Sequence, residues 1–291
     1  MIGPTLSRPR LVRAATTQLA DALCARGRPV AGATDLLIHG LDTATPELVD
    51  LTAMSDARPP VEQLSGGVTR VSATAPISAI ARAPVPIPAA LAQAIAQFAS
   101  PQIRNRATLG GNIANASPAA DLVPPLVVTD AVLGLRSADG ARSVPISDVL
   151  AGPGRTTLRA GEWIDYVDLH PVEHSGFRKL GYRRALAIAV VSLAWSWSAT
   201  GTRLRDVRLA AGAVAPTVVR CPHAEAALTE LTPAVVATAA TAIHQDIAPI
   251  DDLRAHAWYR RDALSGLVRE LAAPTEEQTG TQLSERNTTA S

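Results

Sequence analysis

Apolar positions return at the spacing of one helix face along residues 11–26, LVRAATTQLADALCAR, and Gly27 ends the run. PVAGATDLLIH then opens apolar, breaks at a glycine turn and resumes apolar, and residues 47–54 read as a short strand. SGGVTRVSATAPISAI predicts a turn, a strand over about 68–74 and a helix starting near Pro76. PIPAALAQAIAQFAS, residues 87–100, predicts an amphipathic helix with proline near its start, where the missing amide has no partner to lose. The stretch 104–121, RNRATLGGNIANASPAAD, reads as a glycine-bearing loop and not as a helix. AVLGLRSADGARSVPISDVL predicts a hairpin turning at Asp139-Gly140, and WIDYVDLH, residues 163–170, an alternating strand.

Near residue 172 the composition shifts. FRKLGYRRALAIAVVSLAWSWSAT predicts a strand, a loop or short helix, and a strand; a third strand follows the Thr200-Gly201 turn. Helical runs come at about 222–231, 233–246 and 253–273. Short strands interleaved with helices predict an α+β fold and not a doubly wound parallel sheet. The divisions fall at 1–56, 57–171 and 172–273, with a polar tail at 274–291 that lacks apolar anchors and is expected to be disordered.

Charge narrows the partners. With 27 Lys plus Arg against 26 Asp plus Glu, and no basic stripe, binding to nucleic acid or to an anionic membrane is disfavoured. The longest apolar run, Ala185 to Ala199, is broken by Ser192, Ser196 and Ser198 and is too short to span a bilayer. No signal-peptide core is visible at the N-terminus, so a cytoplasmic protein is expected. Two cysteines, Cys24 and Cys221, form neither a disulfide framework nor a metal site, and an iron–sulfur cluster needs about four thiolates.

The motif search first removes options. GPGRTTL, residues 152–158, lacks the third glycine of a dinucleotide fingerprint, and no Walker A sequence occurs. HPVEH, residues 170–174, matches a zinc-protease pattern in form, but that pattern needs a helix and this segment reads as a strand-to-strand connection. Asn115-Ala116-Ser117 matches a glycosylation acceptor, against which Pro118 and the expected compartment both count. Two glycine-bearing loops remain, VAGATDL at 30–36 and ATLGGN at 107–112. Bare amides in such turns make a concave anion site, and Thr34 and Thr108 add hydroxyls. With no lysine in either loop, the pair suits a pyrophosphate held by dipoles. Asp121 is placed to accept hydrogen bonds from ligand hydroxyls or a ring N–H, and Phe98 to offer an aromatic face to a flat ring.

VAGATDLL, IRNRATLGGNIANASPAADLVPPL, FRKLGYRRALAIAVVSLA and AAGAVAPTVVR follow one another in an order and spacing that resemble the FAD-binding medium subunit of the xanthine dehydrogenase and carbon monoxide dehydrogenase family, the molybdenum hydroxylases. The resemblance covers roughly residues 8 to 273. It implies an FAD-binding domain of the vanillyl-alcohol-oxidase (PCMH-like) type made of two subdomains, then a small C-terminal α+β domain with a three-stranded sheet and helices. It implies non-covalent FAD on this chain, molybdopterin on a large partner subunit and [2Fe–2S] clusters on a small one, as a dimer of heterotrimers. Electrons would pass from the clusters through FAD to NAD+, oxygen or another acceptor, with no catalytic side chain and no metal on this chain.

Carried over by position, Val30, Ala31, Gly32, Ala33, Thr34, Asp35 and Leu36 would hold the diphosphate and adjacent parts of FAD, with Thr108, Leu109, Gly110, Gly111 and Asn112 as the second loop. Phe98 would pack on the cofactor, Asp121 and Ser117 would join the site, Ile164 would contact the adenine or ring region, and Lys179 would lie near the flavin ring. The first loop usually reads A-G-G-T-D-L; Ala33 replaces the second glycine, and a positive φ there costs about 1 kcal/mol. Ser72 stands where glycine is common in the family. Two other readings belong to other classes: a flavin-free assembly or scaffold subunit, and a stand-alone flavin oxidase.

Overall fold

The computed structural model describes residues 9–39, 47–54, 56–183 and 186–272; the polar tail lies outside them. The predicted helix over 11–26 begins later than its periodicity suggests, because Arg10–Arg13 is a strand, β1. Then come helix α1 (Thr17–Cys24), β2 (Arg28–Val30), the short helix α2 (Leu36–His39) and β3 (Glu47–Asp50). Both outer strands run parallel to the central one, in the order β1-β3-β2. A strand of four residues whose partner sits near residue 47 leaves no local signal, so the helical spacing prevails in the sequence. The hydroxyl of Thr16 caps α1 by accepting from the Leu19 amide at 3.2 Å. Leu23 and Cys24 then join a small core with Val49, Leu51, Met54 and Trp163. Burial, and after it the charge of Asp21, pushes the Cys24 thiol up to about 12, so it packs as a small hydrophobe.

The middle unit starts with β4 (Val61–Gln63) and β5 (Thr69–Ser72), followed by α3 (Ile77–Ala81), α4 (Ala89–Gln97), α5 (Pro101–Arg104), α6 (Leu109–Asn115) and α7 (Val123–Val128). It closes with β6 (Val132–Ser137), β7 (Gly140–Pro145), the small pair β8 (Leu150–Gly152) and β9 (Arg155–Thr156), and β10 (Trp163–Leu169). The antiparallel sheet has the order β4-β5-β10-β6-β7, and β6 and β7 turn at Asp139-Gly140 as the sequence predicts. The stretch 104–121 is where the local reading fails. Residues 109–115 are helical, because Thr108 caps the turn through its Oγ1, which accepts from the Gly111 amide at 3.1 Å. Glycine is a poor helix former, so its doubling hides this helix. Tertiary contact supplies what propensity lacks: the Gly110 amide donates to the Ala73 carbonyl at 2.9 Å.

The third unit contains β11 (His174–Leu180), β12 (Val191–Thr200), β13 (Arg203–Gly212), β14 (Val219–Arg220), α8 (Pro222–Ala227), α9 (Pro233–Ala242) and α10 (Ala257–Arg269). Its sheet has four strands, not three, in the order β11-β12-β13-β14. The added strand is two residues long, too short to show alternation. Residues 170–173 connect β10 to β11, so HPVEH lies on no helix. Period-two alternation splits this sheet between two cores. Phe177, Ala194 and Ala210 lie side by side in register and join the core of the middle unit, whereas Val191, Leu193, Trp195, Leu209 and Ala211 pack with the helices α8 to α10. No helix among the described residues is long and apolar enough to cross a membrane.

Candidate cofactor site

The two glycine motifs, about seventy-five residues apart, meet at one cavity of about 490 Å³. One wall is Val30 to Leu36, the segment leaving β2; the facing wall is Thr108, Gly111 and Asn112 at the start of α6; Phe98 lines it too. A second pocket of about 80 Å³ shares Val30, Ala31, Thr108 and Gly111, and adds Gly110 and Ile164. Thus thirteen of the expected positions, scattered over 30–164, converge on adjoining cavities. Leu109 does not line either one: it is wholly buried in the core. Ser117, Asp121 and Lys179 also lie outside both linings.

The glycines act differently from one another. A Cβ on Gly32 would collide with the Arg106 carbonyl oxygen, so this glycine lets the first loop touch the backbone leading into α6. Gly110 serves packing, since a Cβ there would stand 2.9 Å from the Ala73 carbonyl oxygen. Gly111 is the exposed member of the pair and faces the cavity. Ala33 does adopt a positive φ, 58°, as the departure from the family pattern anticipates. The following turn is held by the Leu37 amide, which donates to the Ala33 carbonyl at 3.2 Å, and the Ile38 amide, which donates to that of Asp35 at 3.0 Å.

The second loop is not an open nest. Its Gly110, Gly111 and Asn112 amides donate to Ala73 O, Thr108 Oγ1 and Thr108 O. What remains for a ligand is side chain: Asn112 Oδ1 is buried without a partner and belongs to a residue lining the cavity. The sequence reading missed Arg28, Asn115, Gly154, Leu158 and Glu162, which also line it. Gly154 has a signal, the glycine pair of GPGRTTL, and it sits at φ 66°. Glu162 has none locally. Its carboxylate accepts from Arg142 at 2.6 and 2.8 Å and from the Arg159 amide at 2.7 Å. These bonds, the Arg142 one foremost, hold its carboxyl below the ordinary range.

Asp121 and Lys179 meet each other. Lys179 Nζ donates to Asp121 Oδ2 at 2.6 Å, to Gln97 O at 3.0 Å and to Ala187 O at 3.1 Å, which uses all three ammonium protons. Both side chains are under one-tenth exposed. Asp121 Oδ1 is buried and has no partner. Burial pushes the Asp121 carboxyl above its ordinary range, and Lys179 pulls against it.

The FAD-binding domain of molybdopterin dehydrogenases matches residues 4–170, and the CO dehydrogenase flavoprotein C-terminal domain matches residues 177–274. The chain belongs to this family. The xanthine dehydrogenase FAD-binding subunit of Escherichia coli O157:H7 is 30% identical over 289 residues, covering 93% of this chain and 97% of that one. The nicotine 6-hydroxylase medium subunit of Paenarthrobacter nicotinovorans is 33% identical over 196 residues, 65% of this chain and 66% of its own length. In three dimensions a chain of the carbon monoxide dehydrogenase from Hydrogenophaga pseudoflava, in a form lacking the Mo-pyranopterin moiety, superimposes with a TM-score of 0.83 at 26% identity, over 93% of this chain and 96% of that one.

This is therefore an FAD-binding subunit of the xanthine dehydrogenase and CO dehydrogenase family, an oxidoreductase component with FAD as its cofactor. The α+β architecture is that of the family. The residues present fit the cofactor: the cavity has a threonine on each wall, Arg28 among its lining residues, and an unpartnered Asn112 Oδ1. Of the two carboxylates among its lining residues, Asp35 and Glu162, the second is already held by Arg142.

Proposed function

We propose that this subunit relays electrons: FAD held between the first loop and α6 receives them from [2Fe–2S] clusters on a small partner chain and passes them to NAD+, oxygen or another acceptor. The observation that carries the reading is the convergence of residues 30–36 with Thr108, Gly111 and Asn112 on one cavity, sealed by the contact of Gly32 with the Arg106 carbonyl. A large partner chain would hold the molybdopterin and oxidise the substrate. The description of a related protein as a medium subunit supports membership of a multi-subunit complex; its arrangement as a dimer of heterotrimers in the cytoplasm is part of the same proposal.

Bound FAD supplies the redox chemistry. The chain's own residues bind and orient it. Thr34 and Asn112 would hold the diphosphate and its neighbours, Phe98 would contact a ring, and Ile164, in the smaller pocket, would contact the adenine or ring region. Asp121 Oδ1 is a free acceptor for a ligand N–H or hydroxyl, and Lys179 fixes that carboxylate in place. Leu109 and Ser117 act on the site by shaping α6 and the turn after it; the Ala119 amide donates to Ser117 Oγ at 3.3 Å. No side chain is assigned as general acid or base, and no metal ligand is assigned. The test is the absorbance of FAD in the complex assembled with both partner chains. Bleaching on addition of the complex's substrate, absent from the isolated chain, is expected; an FAD spectrum that stays oxidised during turnover would overturn the relay.

A further inference from the structure

A second concavity, about 670 Å³, shares no lining residue with the cofactor cavity. It lies on the C-terminal unit, reaching from Ala89 and Gln93 of α4 to the β12–β13 turn at Gly201 and Thr202. Trp195 and Trp197 line it with rings 6.3 Å apart and 18° from parallel. Trp195 is anchored: a Cβ on Gly176, its neighbour across the strand pair, would collide with the indole. Trp197 is only half-buried.

The polar lining is biased in charge. Glu173, Glu230 and Glu270 stand against one guanidinium, Arg178, and one imidazole, His174. Arg178 pairs with Glu270 at 3.2 Å, and His174 lies 3.3 Å from Glu173. Among the described residues the Glu230 carboxylate accepts only the Thr232 hydroxyl, at 3.1 Å. Indole faces beside surplus carboxylate favour a cation. A metal ion is the wrong cation, because no group of three His, Cys, Asp or Glu among the described residues is arranged to hold one. A guanidinium suits the site better than an ammonium: it is planar, stacks on indole and presents a fork to carboxylates. The groove is larger than one side chain, and Leu204, Leu231 and Leu271 add apolar wall. Tryptophan and arginine are also the commonest energetic anchors of protein interfaces.

We propose that this groove docks an arginine-bearing segment of a partner chain of the complex, the arginine stacked on Trp197 and facing Glu230. The proposal rests on the reading of this chain as a subunit. Its test uses the chain co-expressed with its large and small partner chains, followed by sedimentation and FAD content. Trp197→Ala and, separately, the rim variant Glu270→Lys are each expected to raise the dissociation constant of the complex at least about tenfold, a loss of about 1.4 kcal/mol, with FAD content and circular dichroism unchanged. The effect of Glu270→Lys should shrink as salt rises. An unchanged dissociation constant in both folded variants overturns the groove and leaves the complex standing. A wild-type chain that binds FAD but joins neither partner overturns docking and leaves the cofactor reading intact. If removal of residues 274–291 opens Trp197 to a quencher, the chain's own C-terminal segment holds the groove and the proposal falls.

Discussion

At the cofactor cavity the walls meet through backbone, with Gly32 against the Arg106 carbonyl, and hydroxyls and the side chain of Asn112 stand beside the charged Arg28, Asp35 and Glu162. At Asp121 and Lys179 two full charges meet at 2.6 Å with almost no water around either. The sequence assigns both to one ligand. The structure shows that the first region keeps open space, while the second lines neither cavity and spends its cation on the protein itself, although each holds one unpartnered buried oxygen, Asn112 Oδ1 and Asp121 Oδ1. Neutral backbone can be brought close at small desolvation cost and left open. A buried charge is stable only when it finds partners, so the Lys179 ammonium is saturated by the protein before any ligand arrives.

Removing one member of the pair should have the largest effect. Lys179→Met leaves the Asp121 carboxylate buried without its cation and should destabilise the fold by about 3–5 kcal/mol in urea unfolding. The double variant Asp121→Asn/Lys179→Met should recover most of that loss; a double variant as unstable as the single would break the contrast with the cavity. The pH dependence has a definite sign. Asp121 has a folded pKa above the ordinary 3.8, so the folded state holds the proton more tightly than the unfolded one. Stability from this group is fully present below 3.8 and is lost as pH rises through the folded value. That decline should vanish in Asp121→Asn.

Next comes Gly32→Ala. Its methyl must push the first loop from the Arg106 carbonyl. Overpacking of this kind costs about 1–3 kcal/mol. Titration with FAD should show at least tenfold weaker binding, and wild-type affinity would show that the two walls need not touch. Ala33→Gly works in the opposite direction: relief of φ 58° should stabilise the chain by up to about 1 kcal/mol, seen as a higher melting temperature with FAD binding retained. The smallest effect belongs to Glu162→Gln. Arg142 lowers the Glu162 pKa below the ordinary 4.5, so its contribution is present above 4.5 and lost as pH falls through the folded value. The stability gap between wild type and this variant should therefore close in acid; a gap independent of pH would remove the ion pair as its cause.

Much of the site is legible along the chain because its parts are short contiguous runs with glycine and threonine at fixed places. Val30 to Leu36 and Thr108 to Asn112 are such runs, and both reach the cavity. What escaped is of two kinds. Glu162 and Arg28 reach it only because β10 and β2 start beside it, and nothing in their neighbours marks them. The helix at 109–115 escaped because glycine propensity speaks against it while a cap and the Ala73 carbonyl speak for it, and only the cap is local.

By itself the sequence determined the α+β class, the hairpin at Asp139-Gly140, the family and the two segments that face the cofactor cavity. Each of these rests on local periodicity, turn chemistry or an ordered set of motifs. Only the tertiary structure decided that β1 replaces the first helical turn, that the C-terminal sheet has a fourth strand, that the second motif spends its amides on itself, and that Asp121 belongs first to Lys179. The physical reason is shared. Each depends on a hydrogen-bond or charge partner remote in the chain or hidden by an unfavourable local propensity, and a partner's position is fixed only when the chain has folded.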